Sequence, residues 1–137
     1  MRDQGVKAAF VSGDGIVSDE FAQIAGPAAE GTTATFGPDQ RGRPEAKDVV
    51  AKFRAKKFEP ESYTLYSYAS LQIMVQAAEK AKSLDSKKMA EVMHSGMVFK
   101  TVIGDISFDK KGDITRPDYT MYVWKKDSAG KMGYTEQ

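Results

Sequence analysis

Between residues 6 and 36 the chain runs through an apolar stretch, a glycine-rich loop, a capped helical segment and a β-branched stretch. That order restricts the fold more than any other feature. Val6-Lys7-Ala8-Ala9-Phe10-Val11-Ser12 stops at Gly13 and is too short for a helix, so it reads as a buried strand. After the Gly13-Asp14-Gly15 loop, Ser18 stands at an N-cap position and Asp19 and Glu20 suit the positive end of a helix dipole. Gly26 is a natural stop, and Gly31-Thr32-Thr33-Ala34-Thr35-Phe36 has the composition of a second strand. Strand, helix, strand predicts a parallel βαβ unit with a right-handed crossover.

Residues 37–43 are rich in turn formers, and Pro44 opens a helix carrying Val49, Val50 and Phe53. A break at Phe58-Glu59-Pro60-Glu61 precedes the longest helical pattern, about residues 62–82. There Tyr66, Ala69, Ile73 and Ala77 share one face while Leu65, Tyr68, Gln72 and Val75 share another, so this helix expects neighbours on two sides. Asp85 caps a shorter amphipathic helix holding Met89, Val92 and Met93, and Met89, Met93 and Met97 read as core filler. From Gly104 the pattern alternates: Ile106 and Phe108, a Lys110-Lys111-Gly112-Asp113 turn, then Tyr119 to Trp124. This predicts an antiparallel hairpin, its second arm delayed by Pro117, with residues 131–135 as an edge strand. The fold class is α/β with an appended antiparallel piece.

Composition removes several functions. The chain has 137 residues, about one domain, with no cysteine to frame a disulfide scaffold. Twenty basic residues face nineteen acidic ones, which gives no basic excess for a nucleic-acid partner. No eighteen-residue apolar run could span a membrane, and the first residues lack the pattern of an export signal. One histidine, His94, cannot assemble a zinc site without cysteines and reads as a solvated helix end. No nucleophile–base pair and no phosphate-binding glycine motif is present, so neither an enzyme nor a cofactor is expected.

The residues with most to say about chemistry are Gly13, Asp14 and Gly15. A loop beyond the carboxyl end of a parallel strand is where open α/β sheets place ligands, and a carboxylate there suits an ammonium group. The alternative is a plain tight turn with Asp14 solvated. Tyr63, at the mouth of the long helix, could cover the carbon skeleton of a small ligand.

Taken in order, MRDQGVKAAFVSGDG, IAGPAAEGTTATF, SYTLYSYASLQ, TVIGDISFDKKGD and YTMYVWKK resemble the carboxyl-terminal part of leucine/isoleucine/valine-type periplasmic substrate-binding proteins of ABC transporters. The resemblance implies a partial type I periplasmic-binding-protein fold, from a receptor that closes around an amino acid and delivers it to an ABC permease. It gives Asp14 the ligand's ammonium group, and Gly15 and Tyr63 a place in the pocket lining. A complete receptor is roughly two and a half times as long, so residues 1–137 are expected to be a single fragment of a periplasmic parent. On the family's chain path, 6–36 and 104–136 are second-lobe strands and 44–100 are first-lobe helices. Such a fragment is expected to bind amino acids weakly or not at all, and to associate as a homodimer, through swapped elements, where helices lack their sheet. The competing expectation is a stand-alone α/β interaction or assembly module without a pocket.

Overall fold

The computed structural model describes Met1 and residues 4–137. In chain order the elements are β1 (Val11–Ser12), α1 (Asp19–Ala25), β2 (Thr33–Phe36), α2 (Lys47–Ala55), α3 (Thr64–Ala81), α4 (Ser86–Met93), β3 (Phe99–Thr101), β4 (Gly104–Ile106), β5 (Thr120–Lys126) and β6 (Met132–Glu136). They form two compact units: Met1–Pro38 with Asp118–Gln137, and Asp39–Pro117.

The first unit is a four-stranded sheet in the order β1-β2-β5-β6. β1 and β2 are parallel, with Val11 beside Thr33 and Ser12 beside Ala34, and α1 is their crossover. The expected βαβ unit is therefore present, but its first strand is only two residues long. Residues 6–10 lie outside it, and Val6, Phe10 and Val11 are exposed rather than buried. Ser18 occupies the N-cap of α1 in extended conformation without a capping side-chain hydrogen bond, and Gly26 ends the helix at φ +52°. β5 runs antiparallel to both β2 and β6. Its alternation turns Tyr122 and Trp124 into the core, where Trp124 meets Phe21 at 5.2 Å and Tyr134 at 5.0 Å between ring centroids. The Tyr122 hydroxyl lies 2.9 Å from both the Gly37 carbonyl and a Glu136 carboxylate oxygen.

α3 organises the second unit. Leu65, Ala69, Ile73 and Ala77 recur every four residues and are buried. The upper pair joins Ala46, Val50 and Val102, and the lower pair joins Phe99 and Ile106, with Met89, Val92, Met93 and Met97 packed alongside. The opposite flank of α3 is not covered: Leu71, Met74 and Val75 are 62%, 48% and 57% exposed. Asp85 caps α4 as expected, its carboxylate accepting the Lys88 amide at 3.0 Å.

The predicted hairpin is corrected. β4 pairs with β3, not with the strand after Pro117, in the register Phe99–Ile106, Lys100–Asp105, Thr101–Gly104. Closing a two-residue connection costs far less chain entropy than closing one across residues 107–119. Thr101 reinforces it: its hydroxyl donates to the Gly104 carbonyl at 2.7 Å and accepts the Ile103 amide at 3.2 Å. The Lys110–Asp113 turn does form, but it closes only an isolated bridge between Phe108 and Ile114. Residues 104–117 accordingly belong to the unit that holds α2, α3 and α4. The edge strand expected at 131–135 is β6.

Candidate ligand-binding loop

β1 ends at Ser12, and the chain turns at once into a 3-10 turn, Asp14–Ile16. The Val17 amide donates to the Asp14 carbonyl at 2.9 Å, and the Val17 side chain is 1% exposed. A buried apolar anchor thus closes the turn and leaves Asp14 and its two glycines on the surface. A methyl group added at Gly13 or Gly15 would meet nothing within 4 Å, and neither residue has a left-handed φ. Nothing inside the described chain requires glycine at either position.

Asp14 and Gly15 stand together in this turn, whereas Tyr63 belongs to the second unit. Tyr63 is the residue before α3, 45% exposed, and its carbonyl accepts the Ser67 amide at 2.9 Å. Thr64 supports that helix start by accepting the Glu61 amide on its hydroxyl at 3.2 Å. Tyr66 is half-buried, and its hydroxyl accepts from the Gln40 amide nitrogen at 2.8 Å. Gln40 is itself buried and takes Arg43 Nε on its amide oxygen. Val17 escaped the sequence reading as a positioning residue; its only signal was a lone apolar residue between the glycine loop and the helix cap.

The hydrogen bond from the Arg41 guanidinium holds Asp39 below its ordinary value against partial burial, and that from Arg54 lowers Glu59 and raises Arg54. Among the described residues no group of three or more His, Cys, Asp or Glu side chains could hold a metal. His94 ends α4, exposed, with Nδ1 3.1 Å from the Lys110 carbonyl oxygen.

The profile of the periplasmic binding protein family matches residues 1–131. The chain belongs to that family. The periplasmic binding proteins most similar in sequence include the Leu/Ile/Val-binding protein homolog 1 of Brucella suis, 56% identical over all 137 residues, and an amino acid binding protein of Pseudomonas aeruginosa, 49% identical over 96% of this chain. The leucine/isoleucine/valine branch is thus the one the sequence resembled. The chain spans 37% of the Brucella relative and 35% of the Pseudomonas one. The leucine binding protein of Thermotoga maritima superposes with a TM-score of 0.76 at 26% identity, covering 98% of this chain and 38% of that one. A type 1 periplasmic binding protein of Bordetella pertussis gives 0.78 at 17% identity, covering 100% and 41%, a likeness of fold alone. The expected partial type I periplasmic-binding-protein fold is what the chain adopts. These relatives are substrate-binding proteins, a non-enzymatic family. No helix among the described residues is long and apolar enough to cross a membrane.

Proposed function

We propose that this chain carries the ammonium-recognising part of an extracytoplasmic amino-acid receptor that serves an ABC importer. Asp14 pairs with the ligand's α-ammonium group, and Gly13 and Gly15 admit the ligand close to the backbone. The observation that carries this is the exposed Asp14 between two glycines that no intramolecular contact or backbone angle demands, at the tip of a parallel strand. Close approach by a molecule from outside is a sufficient reason for glycine there. Aspartate is short, leaving room for a range of small amino acids. The receptor works in the periplasm, hands its ligand to a permease, and catalyses no reaction.

In this account residues 6–36 contribute to the second lobe and 44–100 to the first, and the chain alone binds amino acids weakly or not at all. Calorimetry of leucine against the 137-residue chain is expected to show no micromolar binding; a micromolar constant would refute that part. The role of Asp14 is tested in a chimera of the Brucella suis relative whose matching segment is replaced by this chain. Asp14→Ala should abolish or greatly weaken amino-acid binding by the folded chimera, and unchanged affinity would remove the assignment.

The exposed flank of α3 favours self-association as a second property. Light scattering of the isolated chain should show a homodimer or larger species, and a monomer at high concentration would count against it. An assembly module without a pocket would differ from the receptor by leaving the chimera's amino-acid affinity indifferent to Asp14.

A further inference from the structure

Asp14 is followed by Gly15, the only Asp-Gly step among the eleven aspartates of a chain that has no asparagine. That dipeptide bears on the covalent integrity of the main chain as well as on its turn. Where a backbone amide nitrogen reaches the carboxyl carbon of the aspartate before it, the two close a five-membered ring. A side chain on the following residue hinders that approach, and glycine carries none.

The structure separates Asp14 from the other aspartates. Residues 13–15 are exposed, and a methyl group added at Gly15 would meet nothing within 4 Å. Gly15 is the second residue of the three-residue 3-10 turn, a position whose amide has no acceptor within the helix. Asp48, Asp105 and Asp113 instead precede the β-branched Val49, Ile106 and Ile114. Asp85 and Asp127 precede serine, but backbone amides pin their carboxylates: Lys88 on Asp85 at 3.0 Å, and Ala129 and Lys131 on Asp127, both at 2.9 Å. Asp109 accepts three such amides, from Lys111, Gly112 and Asp113.

We propose that Asp14 is a site of spontaneous isomerisation to isoaspartate. The Gly15 nitrogen bonds to the Asp14 carboxyl carbon, and its proton leaves with the carboxyl hydroxyl as water, giving a succinimide. Water then opens the ring. Cleavage of the new carbon–nitrogen bond restores aspartate. Cleavage of the original peptide bond leaves the main chain running through the side-chain carbon, with the α-carboxylate as the pendant group. One water leaves and one enters, so the step needs no oxidant and no cofactor. The product has a backbone longer by one methylene and carries its charge on a shorter arm, at the tip of β1. The site stands whatever Asp14 recognises.

The test incubates the 137-residue chain at neutral pH and body temperature, with Trp124 emission reporting that it stays folded. Tryptic digestion gives residues 8–41 as one peptide, in which Asp19 and Asp39 serve as internal controls. Isoaspartate is read by electron-transfer fragmentation and by labelling with an isoaspartyl methyltransferase. Position 14 is expected to accumulate it at least about tenfold faster than positions 19 and 39, with an intermediate lighter by one water. Gly15→Val should slow the reaction at least about tenfold, and Asp14→Glu, whose ring would need six members, should eliminate it. Absence of isoaspartate at position 14, equal accumulation at Asp19 or Asp39, or an undiminished rate in Gly15→Val would each overturn the proposal.

Discussion

The Val17 amide donates to the Asp14 carbonyl at 2.9 Å, while the Val17 side chain is buried beneath the turn so closed. Removing its two methyls costs the transfer energy of a fully buried side chain and leaves a void. Val17→Ala should therefore destabilise the chain by about 1–3 kcal/mol. Urea unfolding followed by emission of Trp124, the single tryptophan and fully buried, measures it directly.

Gly15→Ala should behave in the opposite way. With open space around the added methyl and no left-handed φ, it restricts the unfolded chain and leaves stability unchanged or raised by about 0.4–1 kcal/mol. In the Brucella chimera the same methyl should weaken amino-acid binding. A pronounced loss of stability in the urea assay would mean that the glycine serves the fold.

Gly112→Ala is the contrasting glycine. Here φ is +97° and the new methyl would lie 3.2 Å from the His94 ring. The left-handed backbone alone costs roughly 1–2 kcal/mol, so a lower thermal midpoint is expected, read by calorimetry of the two chains side by side.

Two glutamines on α3 act as a substitute strand for the outer edge of β3. Gln72 accepts the Val102 amide at 2.9 Å, and Gln76 both accepts the Lys100 amide at 3.1 Å and donates to its carbonyl at 2.9 Å. Val102 is buried, so Gln72→Leu strands its amide at a cost of about 1–3 kcal/mol. Hydrogen exchange should show the Val102 amide losing protection well before the Phe99 and Ile106 neighbourhood opens.

Asp39 and Glu59 are held below their ordinary values of 3.8 and 4.5 by Arg41 and Arg54. A carboxylate with a lowered folded-state pKa contributes stability above its unfolded value, and that contribution disappears as pH falls through the folded one. Stability is expected to be level in this respect above about pH 5 and to decline below about pH 4, modestly because the pairs are exposed. Glu59→Gln with Asp39→Asn should flatten the decline in a series of denaturant titrations; an unaltered slope would exclude these pairs as its source.

Local signals in the sequence were readable and long-range pairings were not. The stop at Gly26, the cap at Asp85 and the edge strand at β6 depend on neighbours in sequence, and each is where its pattern put it, whereas the buried face of α3 takes Leu65, read on the other face, with Ala69, Ile73 and Ala77. β3 has three residues, too few for periodicity to register, and once it exists it takes β4 away from the strand after Pro117. The run from Val6 to Phe10 is apolar but exposed, because side-chain type measures the tendency to be buried and not the presence of a covering layer. The Gly13-Asp14-Gly15 loop could be singled out as a candidate because its residues are adjacent.

Recognition of a protonated amine by Asp14 is most directly tested by calorimetry of leucine and N-acetyl-leucine against the Brucella chimera and its Asp14→Ala variant. The account predicts that leucine binds the chimera, that the acetylated ligand, lacking the charge, does not, and that the variant loses leucine. Equal binding of both ligands, or full retention of leucine by the variant, would contradict it.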